Sequence, residues 1–93
     1  MGGGGVPSGG VYRTDASSLK KQWKPNSIVH RYRNGKKVQS RWYGPDGKAI
    51  RNRDYKHGGK NLFFPHDHQW NWQNTFPRGQ EHLIPDYINY REE

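Results

Sequence analysis

The sequence predicts a small α+β domain, an antiparallel β-meander of three to four strands with one N-terminal helix packed on one face. Three observations predict it. Two tight-turn signals, Asn34-Gly35 and Gly44-Pro45-Asp46-Gly47, are spaced to join three strands in succession. The segment between Thr14-Asp15 and Pro25-Asn26 carries a cap, helix formers and a stop. Leu, Ile, Val and Phe make up only 14 of 93 residues, which at net charge +8 borders on disorder, but thirteen aromatic residues supply area for a folded core.

Residues 1–10 hold six glycines, Pro7 and Ser8, and read as a flexible linker; residues 11–93 form a single small basic domain. Val11, Tyr12 and Arg13 suit a short edge strand. A helix is expected over residues 16–23, with Leu19 and Trp23 on its packed face and Lys20, Lys21 and Lys24 outside. Residues 27–33 and 36–43 are strands joined by a type I′ turn at Asn34-Gly35, and residues 48–55 follow the second turn. Leu62, Phe63 and Phe64 suit a fourth strand ended by Pro65, and Pro85 opens a last helical turn through Asp86 to Tyr90.

Uninterrupted pairing would set Arg31 opposite Val38, Val29 opposite Ser40, Trp42 opposite Ile50 and Val38 opposite Asp54. One side of the sheet would then show Val29, Val38, Trp42 and Ile50, with Arg31, Asn52 and Asp54, and would carry the helix. The other would show His30, Tyr32, Lys37, Arg41, Tyr43, Arg51 and Arg53.

The charge sits in the middle of the chain. Residues 20–60 contain thirteen Lys or Arg against Asp46 and Asp54, a segment at +11. A polyanion is the partner this implies, nucleic acid first, with RNA favoured. Arg31, Lys37, Arg41, Arg51, Arg53 and Lys56 would hold phosphates while Tyr32 and Tyr43 stack on bases. There is no cysteine, hence no disulfide and no thiolate metal site. No stretch is long and apolar enough to span a membrane, so no membrane partner is expected.

The densest chemistry lies between Asp54 and Trp72, where three of the five histidines sit among large aromatics. His66 and His68 alternate, so in extended chain both project to one side and Asp67 to the other. Asp54 faces the core and needs a partner, for which Arg31 is long enough. Three readings are open. Asp54, His57, His66 and His68 are an acid–base set; or His57, His66 and His68 hold a divalent metal; or the group is a structural hydrogen-bond network. His30 and His82 read as surface residues, and Trp70 and Trp72 as packing.

The runs Arg41-Trp42-Tyr43-Gly44-Pro45-Asp46-Gly47-Lys48, Arg53-Asp54-Tyr55-Lys56-His57-Gly58 and Pro65-His66-Asp67-His68-Gln69-Trp70 resemble small C-terminal domains of bacterial polymorphic toxins and phage-associated proteins. The resemblance spans residues 27–72, about half the chain. It implies a toxin-type nuclease acting in a bacterial cytoplasm, most often a metal-independent ribonuclease, with Asp54, His57, His66 and His68 as the matched positions. It also implies an acidic immunity or inhibitor protein as partner. The leading expectation is therefore a metal-independent endoribonuclease needing no cofactor. The alternative is a non-catalytic phage or bacterial module that binds nucleic acid or a nucleoprotein and inhibits a host defence complex.

Overall fold

The computed structural model describes residues 7–55 and 65–93. Five strands form one mixed sheet in sequence order: β1 (Val11–Thr14), β2 (Ile28–Arg33), β3 (Lys36–Tyr43), β4 (Ala49–Asp54) and β5 (His66–Gln69). β1 lies parallel to β2 at one edge, and every other neighbouring pair is antiparallel. The fourth strand expected at Leu62, Phe63 and Phe64 falls outside the described residues.

The meander follows from its turns. Asn34 (φ 52°) and Gly35 (φ 77°) both take positive φ, as a type I′ hairpin requires. In the second turn Gly47 takes φ 82°, and a Cβ there would meet the Trp23 carbonyl oxygen at 2.6 Å. Only glycine combines that φ with so close a backbone. The last expected turn also forms, with Tyr90 N bonded to Asp86 O at 3.1 Å.

The α+β prediction is corrected by the structure: among the described residues there is no helix, and the sheet stands without one. Residues 16–23 cross the sheet as irregular chain. Carbonyls of this segment are bonded to the sheet instead of along a helix. Arg41 Nη1 donates to Leu19 O (3.0 Å) and Lys20 O, the Tyr43 hydroxyl donates to Lys20 O, and Ala49 N donates to Lys21 O (2.9 Å). One apolar anchor, Leu19, seats the segment against Val29, Tyr43, Ala49 and Trp70. These tertiary bonds outweigh the weak intrinsic preference of an eight-residue helix.

The expected register is also corrected, by two bulges. The hairpin starts as predicted, with Arg33 opposite Lys36 and Tyr32 opposite Lys37, but Arg31 then pairs with Gln39, leaving Val38 as the extra residue. On β4 Tyr43 pairs with Ala49 and Trp42 with Arg51, leaving Ile50 extra. One inserted residue exchanges the two sides of the sheet for everything beyond it. Val29, Arg41, Asn52 and His68 therefore form one row, and Arg31, Gln39, Asp54 and His66 the next row on the same side. The opposite side carries Ile28, Trp42 and Arg51, then His30, Ser40, Arg53 and Asp67. The single basic side expected from sequence is thus split: Arg41 and Tyr43 go one way, Arg51 and Arg53 the other.

The side with Arg51 and Arg53 is covered by the C-terminal segment. Tyr90 packs edge-on against Trp42, whose Nε1 donates to Arg91 O at 2.9 Å. Arg53 is fully buried between the rings of Trp42 and Tyr87. Its five N–H donors meet five acceptors: both Asp67 oxygens, Tyr90 O, Glu92 Oε2 and Asp86 O. His30, expected at the surface, is buried beneath the same segment. Its Nε2 donates to Glu92 O at 2.7 Å, which leaves Nδ1 to accept from the Ser40 hydroxyl, itself bonded to the Tyr55 hydroxyl.

That chain of bonds needs a neutral ring. Burial first, and the nearby charges of Lys37 and Arg13, hold the His30 pKa below its ordinary 6.5, against the opposing pull of Glu92. The unfolded chain therefore takes the proton more readily than the folded one. The stability this adds is complete above pH 6.5 and is lost as pH falls through the folded value. We expect the melting temperature to drop on acidification below that point, and a His30→Gln variant, though less stable at neutral pH, to show a shallower drop. Parallel pH profiles for the two proteins would refute this assignment.

Candidate functional site

The other side of the sheet gathers the histidines. β5 pairs with β4 so that Asp54 lies opposite His66, and Asn52 opposite His68. His66 and His68 project to one side of the strand and Asp67 to the other, as their alternation predicts. His66 is fully buried, and His68 and Asp54 nearly so. Asp54 Oδ2 stands 3.4 Å from His66 Nε2 and 3.3 Å from His68 Nε2.

The third imidazole comes from a part of the chain that local pattern left featureless. Residues 77–83 return along the free edge of β5, held by bonds from Gly79 N to Gln69 O (2.7 Å) and by a reciprocal pair between Asp67 and Leu83 (2.8 and 2.9 Å). His82 sits beside that bridged pair and so joins His68 and His66 on the same side. Its ring centroid lies 4.3 Å from that of His66 and 5.1 Å from that of His68. Unlike the other two, His82 is exposed. One nitrogen from each of the three rings falls within 4.8 Å of the others.

His68 and Asp54 are each held in place by a further partner. His68 Nδ1 donates to Gly79 O at 2.8 Å, which leaves Nε2 directed at the centre. Gly79 approaches closely enough for this because it has no side chain; a Cβ there would stand 2.7 Å from Gln69 O. Asp54 Oδ1 accepts from Gln39 Nε2 at 3.0 Å, and Arg31 Nε donates in turn to Gln39 Oε1 at 3.2 Å. Arg31 therefore reaches Asp54 through Gln39, where the sequence suggested direct contact. Burial alone would raise the Asp54 pKa. Hydrogen bonds and charge from His68, Gln39 and His66 outweigh it and keep the carboxyl below its ordinary value.

A groove of about 440 Å³ lies on the same side of the sheet, lined among others by Lys21, Arg41, Trp70, Phe76 and Arg78. Arg41 lies in the same row as Asn52 and His68 and stacks on Trp70. Burial first, and then the charge of Arg78, work against its own positive charge. Two buried donors of that row, Arg41 Nε and Asn52 Nδ2, have no hydrogen-bond acceptor. Phe76 is 77% exposed at the mouth. Two guanidinium groups, an ammonium and an open aromatic ring in one groove suit a phosphate with its base.

The remaining candidates are distributed as follows. His57 and Lys56 lie outside the described residues. Arg51 and Arg53 are buried and tied to Asp67, so they face away from any polyanion approaching the histidine side. Lys37 is paired with Glu92 at 2.7 Å, and Tyr32 is stacked by Arg13. Tyr43 is buried in the core. Among the described residues, only Arg41 of the expected basic set borders the groove. His82, Arg78 and Lys21 were not foreseen, because no spacing rule connects them to Asp54; the return of residues 77–83 along β5 brings in His82 and Arg78, and the bond from Ala49 N to Lys21 O brings in Lys21. Comparison with family models, with curated proteins and with solved structures finds no match for this chain.

Proposed function

We propose that this protein is a nuclease of the toxin type that cleaves phosphodiester bonds, with RNA as the favoured substrate, at the centre formed by Asp54, His66, His68 and His82. The observation that carries the proposal is that the histidine centre and the cationic groove lie on one side of one sheet, with Arg41 of the groove in the same row as His68. Lys21, Arg41 and Arg78 hold the phosphate and offset the charge that builds on it during attack. Phe76 stacks a base, which favours unpaired strand over duplex. In RNA the 2′-hydroxyl already stands beside the phosphorus, so the centre has only to take its proton and return one to the leaving 5′-oxygen.

The burial of His66 and His68 bears on how they act. Neither ring can meet a substrate directly without displacing the residues over it, whereas His82 can. This favours a centre that acts as one unit over the separate acid and base that the sequence suggested.

The test is cleavage of total RNA, single-stranded DNA and duplex DNA by the full chain. We expect RNA to be cut fastest. We expect Asp54→Asn and His82→Ala to lower the rate by at least ~100-fold, the scale of removing one acid–base or electrostatic group. Arg78→Ala should chiefly raise KM. Salt-dependent binding without cleavage of any of the three nucleic acids would replace the nuclease reading with the non-catalytic binding module.

A further inference from the structure

We infer that Asp54, His66, His68 and His82 form a binding site for a divalent transition-metal ion with the size and ligand preference of zinc. The inference rests on the same centre as the nuclease reading and deepens it by naming what the centre holds.

The distances are longer than those of tight hydrogen bonds and match those of a shared ion. An imidazolium donating to a carboxylate closes to ~2.7–2.9 Å. Here one carboxylate oxygen stands 3.3 Å from His68 Nε2 and 3.4 Å from His66 Nε2. Ligand atoms held ~2.0–2.1 Å from a tetrahedral zinc lie about 3.3–3.4 Å from each other. Asp54 thus keeps from both rings the separation that two edges of one coordination tetrahedron would have. His82 supplies the remaining corner. Its nitrogen is within 4.8 Å of the other two, and an inward swing of its exposed ring by on the order of 1 Å closes the figure.

The hydrogen bonding around His68 points the same way. Gly79 O can only accept, so His68 Nδ1 keeps a proton, and whenever the ring is neutral Nε2 presents a lone pair. That lone pair faces a carboxylate oxygen at 3.3 Å. A cation between the two relieves their repulsion, a proton on Nε2 in the ion pair with Asp54 or a metal ion in its place. A backbone carbonyl orienting the far nitrogen is also the arrangement typical of metal-bound histidine. Asp54 is braced likewise by Gln39 and, beyond it, Arg31.

Three imidazoles and one carboxylate select among ions. Nitrogen ligands favour zinc and its neighbours over magnesium and calcium, which prefer oxygen. With four protein ligands on it, such an ion would meet a phosphate or water only as a fifth ligand or in place of the exposed His82, and there it would polarise the phosphate and lower the pKa of a bound water.

The experiment is calorimetric titration of the chelator-treated full chain with zinc alone, followed by cobalt(II) absorption in the visible. One ion per chain is expected, at micromolar Kd or tighter, with a tetrahedral cobalt spectrum and a raised melting temperature. His82→Ala, at an exposed position, should fold as the parent does and bind zinc about a hundredfold more weakly or worse; Asp54→Asn should do the same. Failure of the parent to bind below millimolar zinc, or equal binding by His82→Ala and the parent, overturns the inference. The two proposals fail separately. Zinc bound without cleavage of any nucleic acid leaves the site and removes the nuclease, whereas cleavage indifferent to chelator, with no zinc bound, leaves the nuclease and removes the metal.

Discussion

Asp67→Asn should destabilise the domain by about 3–5 kcal/mol, the scale of removing one partner from a buried ion pair. Asp67 is fully buried and shape is preserved in the variant, so packing loss is not the cause. The carboxylate accepts from Arg51 Nε (2.9 Å), Arg53 Nε (2.7 Å), Arg53 Nη2 (3.0 Å) and the Asp86 backbone N–H (3.2 Å). An amide turns one acceptor into a donor facing a guanidinium, and leaves Arg53 with its charge buried and half its ion pairing gone. Burial by itself would lower the Arg53 pKa; the Asp67 carboxylate is the main influence that lifts it above its ordinary value. A domain of this size has about 5–14 kcal/mol in all, so the variant should melt lower by ~15 °C or more. Urea titration measures it directly. A loss under 1 kcal/mol would mean that Arg53 finds water or another acceptor once Asp67 is neutral.

Removing residues 86–93 should cost at least as much. The segment contains no strand and has the look of a tail, yet it roofs one side of the sheet. Without it Arg53 loses three of its five acceptors, those from Asp86, Tyr90 and Glu92. His30 loses Glu92 O, and Trp42 loses both Arg91 O and the Tyr90 ring. Each orphaned buried polar group costs ~1–3 kcal/mol, and Trp42 would open to water. The shortened chain should show no cooperative melting above room temperature by circular dichroism. Melting within a few degrees of the full chain would show that the segment is only draped on the sheet. Loss of this segment should also destroy the histidine centre on the other side, through Asp67 and its bridge to Leu83 rather than by contact.

The meander was legible because turns are local. Asn34-Gly35 and the Gly44–Gly47 corner state their own backbone geometry, and both strands of the hairpin appear where the alternation puts them. The pairing of His66 with His68 on one side of β5 needed only strand alternation. The bulges at Val38 and Ile50 did not announce themselves. Both residues are aliphatic and fit a core position in an unbroken ladder, yet each is the residue left without an opposite partner. That error carried Trp42 to the wrong side and merged two groups of arginines. The helix at residues 16–23 failed for a related reason: a short segment with one good apolar anchor takes whichever hydrogen bonds the sheet provides.

What this amino-acid sequence determined unaided is short-range: where the chain turns, which residues alternate, and that a cationic, cysteine-free domain holds imidazoles near aromatic rings. Only the tertiary structure decided which arginines are buried against Asp67 and which line a groove, and only it brought His82 to His66 and His68, the two rings beside Asp54. The reason is physical. Turn chemistry acts over four residues, whereas side choice in a sheet depends on every residue inserted upstream, and the meeting of two remote segments depends on an edge that exists only once the sheet has formed.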